Sequence, residues 1–458
     1  MDGLLESLAT ALRDDQLDAS DSGRTLHSRG ESTSLSKQPD IVVFPESTLD
    51  VQAVLRLASA NGVAVTPVGA NSSLEGHTVP IQGGISLDLT RMDAIREVAV
   101  ADLLVVVEPG VIYQRLNNHL RQTGLFFPVD PGAEATLGGM ASTNASGTLA
   151  VRYGVMKDQL LGLEVVLADG SIIRTGGRAR KSSSGYDLTR LFCGAEGTLG
   201  VITELTLKLT ARPATVVGAR VSFLDVESCV RLVTDLLQAG LQPARCELVD
   251  ALAIAAINAH TGLALEPVPT VFLEFHGSQA AVGHALDELR ELTQLHDAVS
   301  LEVAPEGAES RKLWEARHRA LPSLVAANPG MDSLITDLAV PISRLAEAVA
   351  TAYATTAGLG LATYVLGHVG DGNFHVTIFY PGSDEEAAQH AASAHAEMVV
   401  AVLGMGGTCT GEHGIGLRKL PYVRAEHGSG VEAMWAIKDA LDPLGIMNPG
   451  KKLPARMH

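Results

Sequence analysis

The chain has 458 residues, 46% of them hydrophobic, and a formal net charge of -18 at pH 7. That length exceeds one compact core and predicts two or three domains, and the apolar share is ample to fill them. The acidic balance argues against a nucleic-acid partner, which needs a basic patch; it leaves a small anionic substrate open, because the charge of a site can oppose the net charge. Cys193, Cys229, Cys246 and Cys409 lie far apart without a CxxC pair, so reduced, structural thiols in a cytoplasmic protein are expected. No cysteine set suits an iron–sulfur cluster. The start, Met1 to Glu6, is acidic and lacks the basic opening of a signal peptide.

Leu4, Leu5, Leu8, Ala9 and Leu12 have helical spacing. A polar, Ser-rich stretch over 20–38 is read as loop, and 41–44 as a strand. Ser47 and Asp50 form a capping-box arrangement that opens a helix over 51–60, ended by Asn61-Gly62. After a strand over 63–65 comes the turn Pro67, Val68, Gly69, Ala70, Asn71, Ser72, Ser73, running on to Gly76. Small residues after a strand let backbone N–H groups approach a phosphate. The turn is neither a Walker loop nor a GxGxxG, and taken alone such turns are more often plain turns. Strands over 85–89 and 104–110 and a helix over 113–122 follow. The stretch 127–147 is small, polar and Gly-studded, with Pro131, Ala135, Thr136, Gly138, Gly139, Ala141, Asn144 and Gly147. An irregular run of that length is usually functional, and it reads as backbone wrapped around an extended polar cofactor. Asp169-Gly170 marks a hairpin over 163–173. The segment 192–203, with Glu196, Gly197, Gly200 and Ile202, closes the region.

Composition shifts after Pro213. A strand, helix and strand over 216–223, 225–239 and 244–249 are followed by a second such set over 270–275, 279–295 and 299–303, which predicts a ferredoxin-like split βαβ arrangement. The uncharged run 350–370 carries Gly and Thr and ends in a His loop, so it reads as a buried strand and its approach rather than a membrane span; peripheral membrane contact is left open. His368 and His375 flank a Gly-rich turn between β-prone runs, a hairpin that holds both imidazoles near one another. Glu412 and His413 stand together in 411–416. Two His and one Glu are a common set for a catalytic divalent metal with an open coordination position, and the spare His413 is a candidate base. The alternative is two unrelated polar loops whose imidazoles bond to backbone. His390 and His395, on an alanine-rich helix over 384–403, read as solvated rather than as ligands. A last helix over 431–441 leads to Asn448-Pro449-Gly450-Lys451-Lys452.

With these motifs in hand, the first half resembles the FAD-binding domain of the vanillyl-alcohol oxidase/p-cresol methylhydroxylase (PCMH) flavoprotein superfamily. The second half resembles its FAD-linked oxidase C-terminal domain. Together they are similar to the D-lactate, glycolate and D-2-hydroxyglutarate dehydrogenases over about 38–452, most specifically at 129–154, 194–203, 367–375, 411–416 and 448–450. The resemblance implies an α+β chain: a two-subdomain PCMH-type FAD-binding domain plus an α+β substrate (cap) domain with a mostly antiparallel sheet. The expected divisions are an N-terminal helix and polar loop over 1–37, the FAD domain over 38–213, the cap over 214–410, and a segment over 411–458 returning to the active site.

The resemblance also assigns roles. The turn 67–73 would bind the FAD pyrophosphate, and 131–154, including Val151 and Tyr153, would wrap the cofactor together with 196–202. His368, His375 and Glu412 would hold Zn2+ or Mn2+, and His413 would be the base. Arg317, which without the family would pass for a solvated helix residue, would grip the substrate carboxylate, and Asn448 would lie near flavin and substrate. Ala70 and Asn71 replace glycines common in the turn, and no His stands at the spacing of a covalently flavinylated relative, His77 included, so FAD is expected to be non-covalent. Ile335-Thr336 stands where the hydroxyglutarate enzymes carry a lysine before the Asp at 337. That favours a small monocarboxylate: D-lactate oxidised to pyruvate by hydride transfer to flavin N5, with glycolate or D-2-hydroxyglutarate behind it. An electron acceptor (quinone, cytochrome or electron-transfer flavoprotein) is implied, and a homodimer is left open. Two other classes compete: a metal-dependent hydrolase, which would not need the Gly-rich first half, and a non-catalytic flavin-binding protein, which would lack the metal set or Arg317.

Overall fold

The structure is a computed structural model describing residues 2–31, 35–305 and 307–456; Met1 and residues 32–34 of the expected polar loop lie outside the described residues. Two compact units emerge. One takes the described residues up to Gly147, then Gly154–Arg212, then those from Glu412 on; the other takes Thr148–Tyr153 and Pro213–Gly411.

The first unit holds two main sheets and a two-stranded pairing of Leu125–Phe126 with Thr210–Ala211. Parallel pairing of Ile41–Val43 and Val65–Val68 with Ile85–Asp88, plus an antiparallel Leu17–Asp18, makes four strands. The helix Thr48–Asn61 covers them because Val51, Val54, Leu55 and Ala58 fall on one face and are buried. Its start is capped by the Ser47 side chain, and Gly62 ends it at φ 63. The N-terminal helix Asp2–Ala11 adds Leu4 and Leu8 to the same core. The second sheet is five-stranded and antiparallel, with Val201–Lys208 at its centre between Leu104–Val107 and Leu160–Val166, and Ile95–Ala99 and Ile172–Gly176 outside them. Chain from the far end completes this unit: Val65 N–H donates to the Ile446 carbonyl at 2.8 Å, and Asn448 N–H donates back to the Val65 carbonyl at 2.8 Å.

The second unit is built on one eight-stranded antiparallel sheet. Along it, Ser300–Pro305, Thr215–Ser222, Thr270–Gly277 and Arg245–Val249 lie in the order fourth, first, third, second, which is the split βαβ pattern expected from the sequence. Helices Val226–Gln238 and Gln279–Leu295 supply the crossovers. The hairpin Ala362–Gly367 and Asn373–Pro381 extends the sheet, with Leu366 opposite His375 and Gly367 opposite Leu248. That register brings the start of the His loop beside the strand that carries Glu247.

Three expectations change. Within 20–38, Asp21–Leu26 is a helix, because Ser20 accepts from Gly23 N–H and caps it. Within 127–147, Leu137–Thr143 is a helix capped by Thr136. Gly138 and Gly139 hid it, since glycine is a poor helix former, yet Gly138 lies so close to Pro109 that an added Cβ would sit 2.5 Å from the proline Cβ. Within 350–370, the first part belongs to the helix Leu345–Thr356, and the strand begins only at Ala362. Among the described residues, no helix is long and apolar enough to cross a membrane.

Candidate active site

In the second unit both histidines of the hairpin are buried and both have Nδ1 engaged. His368 Nδ1 lies 2.6 Å from Glu247 Oε1, and His375 Nδ1 lies 3.0 Å from the Thr336 carbonyl. Each acceptor is an oxygen without a hydrogen, so each imidazole donates from Nδ1 and keeps its lone pair on Nε2, the tautomer a metal requires. The rings stand at 90° with centroids 5.5 Å apart, and their ligand nitrogens lie within 4.8 Å of one another. Asp337 of the same unit also offers a ligand oxygen within 4.8 Å of His375; its carboxylate accepts from Asn373 Nδ2 at 3.0 Å and Thr410 Oγ1 at 2.6 Å. This donor set, two neutral imidazoles with carboxylate oxygen, suits a divalent ion such as zinc or manganese. The loop depends on Gly372, whose φ of 82 and approach to the Val340 carbonyl admit no side chain.

Arg317 sits on the helix Ala308–His318 and is not a solvated residue. Its Nε and Nη2 donate to Glu247 Oε2 at 2.9 and 2.8 Å. Glu247 is fully buried. Burial would raise its carboxyl pKa, but His368 and Arg317 outweigh that and hold it below the usual carboxylate range. Thr336 points inward: its Oγ1 accepts from Val376 N–H at 2.9 Å while its carbonyl takes His375. Val151 and Tyr153, expected in the cofactor set, belong to this unit. Tyr153 Oη lies 2.8 Å from His276 Nδ1, and Val151 borders Gly370, where an added Cβ would meet it at 2.6 Å.

The first unit gathers the other expected cofactor segments. The strand Val65–Val68 runs into the turn at Gly69, where a Cβ would overlap the Oγ1 of Thr136, the helix cap. Asn71 takes the left-handed conformation at φ 56 that its departure from glycine requires. Gly194 and Glu196 N–H groups donate to the Ala141 and Ser142 carbonyls, each at 2.8 Å. Three small-residue segments thus converge with their backbones close, the construction that a phosphate-bearing cofactor such as FAD fits. Gly197, Gly200 and Ile202 continue from the third segment into the central strand. Asn448 ties the group together: its Nδ2 donates to the His77 carbonyl at 3.0 Å and the Glu196 carbonyl at 2.7 Å, and its Oδ1 accepts from Lys451 Nζ at 2.9 Å.

Glu412 and His413 also belong to the first unit. His413 Nδ1 lies 3.4 Å from Glu75 Oε1, and Glu75 is buried beside Lys419 Nζ at 3.3 Å and Arg418 Nε at 3.8 Å. Burial opposes ionisation of Glu75, but Lys419, His413 and Arg418 hold its carboxyl at about 2. The other ring nitrogen, Nε2, lies 4.0 Å from Glu412 Oε1, so carboxylates face His413 from both sides. Glu196, fully buried, is likewise held well below its usual range: burial is outweighed by Lys452, by His77 and by the Ile415 N–H. Sequence reading missed Glu75 and Glu247 as site residues. For Glu247 a signal existed, a carboxylate between Cys246 and Leu248 in an apolar strand, a placement that demands a partner.

Residues 212–452 match the family of FAD linked oxidases, C-terminal domain, and 39–176 match the FAD binding domain family. The chain is 41% identical over 454 residues to the probable D-lactate dehydrogenase, mitochondrial, of Danio rerio, covering 98% of this chain and 91% of that one. It is 41% identical over 417 residues to the D-lactate dehydrogenase (cytochrome), mitochondrial, of Arabidopsis thaliana, covering 91% and 74%. It is 34% identical over 451 residues to a glycolate oxidase subunit of Bacillus subtilis, covering 97% and 96%. Among solved structures, p-cresol methylhydroxylase with substrate bound is similar with a TM-score of 0.80 at 17% identity, covering 98% of this chain and 96% of that one. An alkyldihydroxyacetonephosphate synthase is similar with a TM-score of 0.78 at 18% identity, covering 99% and 86%. At such identities these two show the fold, an α+β chain of the PCMH type with mostly antiparallel sheets.

Proposed function

Since the chain belongs to the FAD-linked oxidase family, in its D-lactate and glycolate dehydrogenase group, and is an FAD-dependent oxidoreductase, we propose that it oxidises a small D-2-hydroxy acid to the 2-oxo acid, D-lactate to pyruvate foremost. One observation carries the reading to chemistry: a buried carboxylate, Glu247, holds an arginine suited to a substrate carboxylate and a histidine in the metal-binding tautomer side by side. The glycolate oxidase relative supports glycolate as the second substrate.

The bound groups would supply a two-electron acceptor in the flavin and, from the metal, a positive charge that makes a hydroxyl more acidic. The chain's own residues do the rest. Arg317 pairs with the substrate carboxylate through a charge-assisted contact. His413, with Nδ1 toward Glu75, takes the substrate hydroxyl proton on Nε2. His368, His375 and Glu412 hold the metal; the tautomers of the two histidines support this, and Glu412 follows from the family pattern. The segments 67–73, 131–154 and 196–202 hold FAD non-covalently. We assign Asn448 as a clamp among those segments rather than a substrate contact, because its amide donors are spent on two carbonyls. A cytochrome is the favoured electron acceptor, as the Arabidopsis relative's name suggests.

Substrate choice tests this reading. Thr336 is turned inward and supplies no cation for a second carboxylate, so kcat/KM for D-lactate should exceed that for D-2-hydroxyglutarate by at least roughly tenfold, about 1.4 kcal/mol. Preference for the dicarboxylate would mean that another cation replaces the lysine and that the monocarboxylate assignment is wrong. Non-covalent FAD is checked separately. Acid precipitation should carry all yellow colour into the supernatant; colour in the pellet would show a covalent bond.

A further inference from the structure

We infer that Glu247 is a positioning residue that serves the substrate arm and the metal ligand at once, fixing the docking edge of Arg317 and the tautomer of His368; the inference rests on the function proposed above. Its two oxygens are divided between the two partners. Oε1 accepts from His368 Nδ1 at 2.6 Å, and Oε2 accepts from Arg317 Nε and Nη2 at 2.9 and 2.8 Å.

A guanidinium has two edges that can meet a carboxylate, one through Nε and Nη2 and one through the two Nη groups. Glu247 occupies the first and so presents the second to a ligand. The carboxylate also has no hydrogen to give, so the imidazole must donate from Nδ1 and turn Nε2 outward. Tertiary structure makes this sharing possible. Leu248 pairs with Gly367 across the sheet, which sets Glu247 beside the first residue of the loop, and the helix Ala308–His318 brings Arg317 to the same carboxylate. A purely structural ion pair would need only one of the two partners. A carboxylate divided between them ties substrate affinity to metal affinity.

The test uses full-length, FAD-loaded protein stripped of metal. Zinc affinity is measured by competition with a chromophoric chelator, and the KM for D-lactate is measured at saturating zinc. Glu247→Gln keeps the shape but replaces one oxygen by an amide donor, which cannot accept from either partner. The expected result is an unchanged flavin spectrum and a rise in at least one constant. Glu247→Ala should raise both, the zinc dissociation constant roughly 10- to 100-fold and the KM about tenfold, as for a lost charge-assisted contact. In an Arg317→Ala background the zinc effect should persist and the KM effect should vanish, because the arm that Glu247 holds is already gone.

Wild-type values of both constants in yellow, folded Glu247→Gln protein overturn the inference; because the glutamine oxygen can still serve one partner, the shared role is read from Glu247→Ala, where a change in only one constant overturns it. Where Glu247→Gln does not accumulate, Glu247→Asp takes its place; one methylene shorter, it cannot reach both partners, so wild-type constants there overturn the inference equally. His368→Ala separates the two levels. If it loses zinc while Glu247→Ala keeps wild-type affinity, the Glu247 inference alone fails. If it binds zinc like wild type, the metal assignment fails and takes this inference with it.

Discussion

Replacing His413 by Asn should slow the anaerobic bleaching of the flavin by D-lactate by roughly two to four orders of magnitude, the usual worth of a positioned acid–base group. The protein should stay yellow and keep its metal. The expectation rests on geometry within one unit: the imidazole of His413 stands with Nδ1 3.4 Å from the buried Glu75 carboxylate, which Lys419 also faces. Asparagine fills similar space but offers no base. Stopped-flow traces of wild type and His413→Asn, with metal assayed on the same samples, decide the matter. Near wild-type bleaching removes His413 from the mechanism, and loss of metal makes it a ligand instead.

A second large effect is expected from His368→Ala or from chelation. Turnover should fall to the assay floor while the flavin spectrum stays close to intact. The separation follows from where the groups lie. His368 and His375 belong to the unit of Pro213–Gly411, whereas the turn at Gly69, the capped helix Leu137–Thr143 and the Glu196 segment belong to the other. Removing the imidazole also leaves the buried Glu247 with one partner fewer, a loss that costs stability as well as metal. A thermal shift alone would therefore not establish the metal role. Activity measured with metal content on the same protein would, and full activity in verified metal-free protein would end it.

Much of this site could be read from local pattern, and the rest could not for a definable reason. The hairpin bearing His368 and His375 announced itself through β-prone runs on either side of a Gly-rich turn, and the observed register, Leu366 against His375, is the one such a turn makes. The split βαβ order was legible because strand and helix periods alternate cleanly over 216–303. Glu247 and Glu75 carry no such local signature. The partners of Glu247 lie 70 and 121 positions away, and only the sheet and the helix that crosses it bring them together. Helix Leu137–Thr143 was hidden by Gly138 and Gly139, the first of which is present for contact with Pro109 rather than for conformation. The bonds of Asn448 were equally hidden, because its neighbours, Val65, His77 and Glu196, come from three separate stretches of chain.

The strand Val65–Val68 is the outermost of its four-stranded sheet, and its free side is met by Ile446 and Asn448. During synthesis those partners leave the ribosome only after the whole of Pro213–Gly411, a unit with its own sheet and core. The later-made body can therefore settle first, while the earlier one waits with a bare strand edge, the kind of surface that pairs with other chains. The tail thus covers, once it is made, a strand edge that would otherwise stay open to pairing.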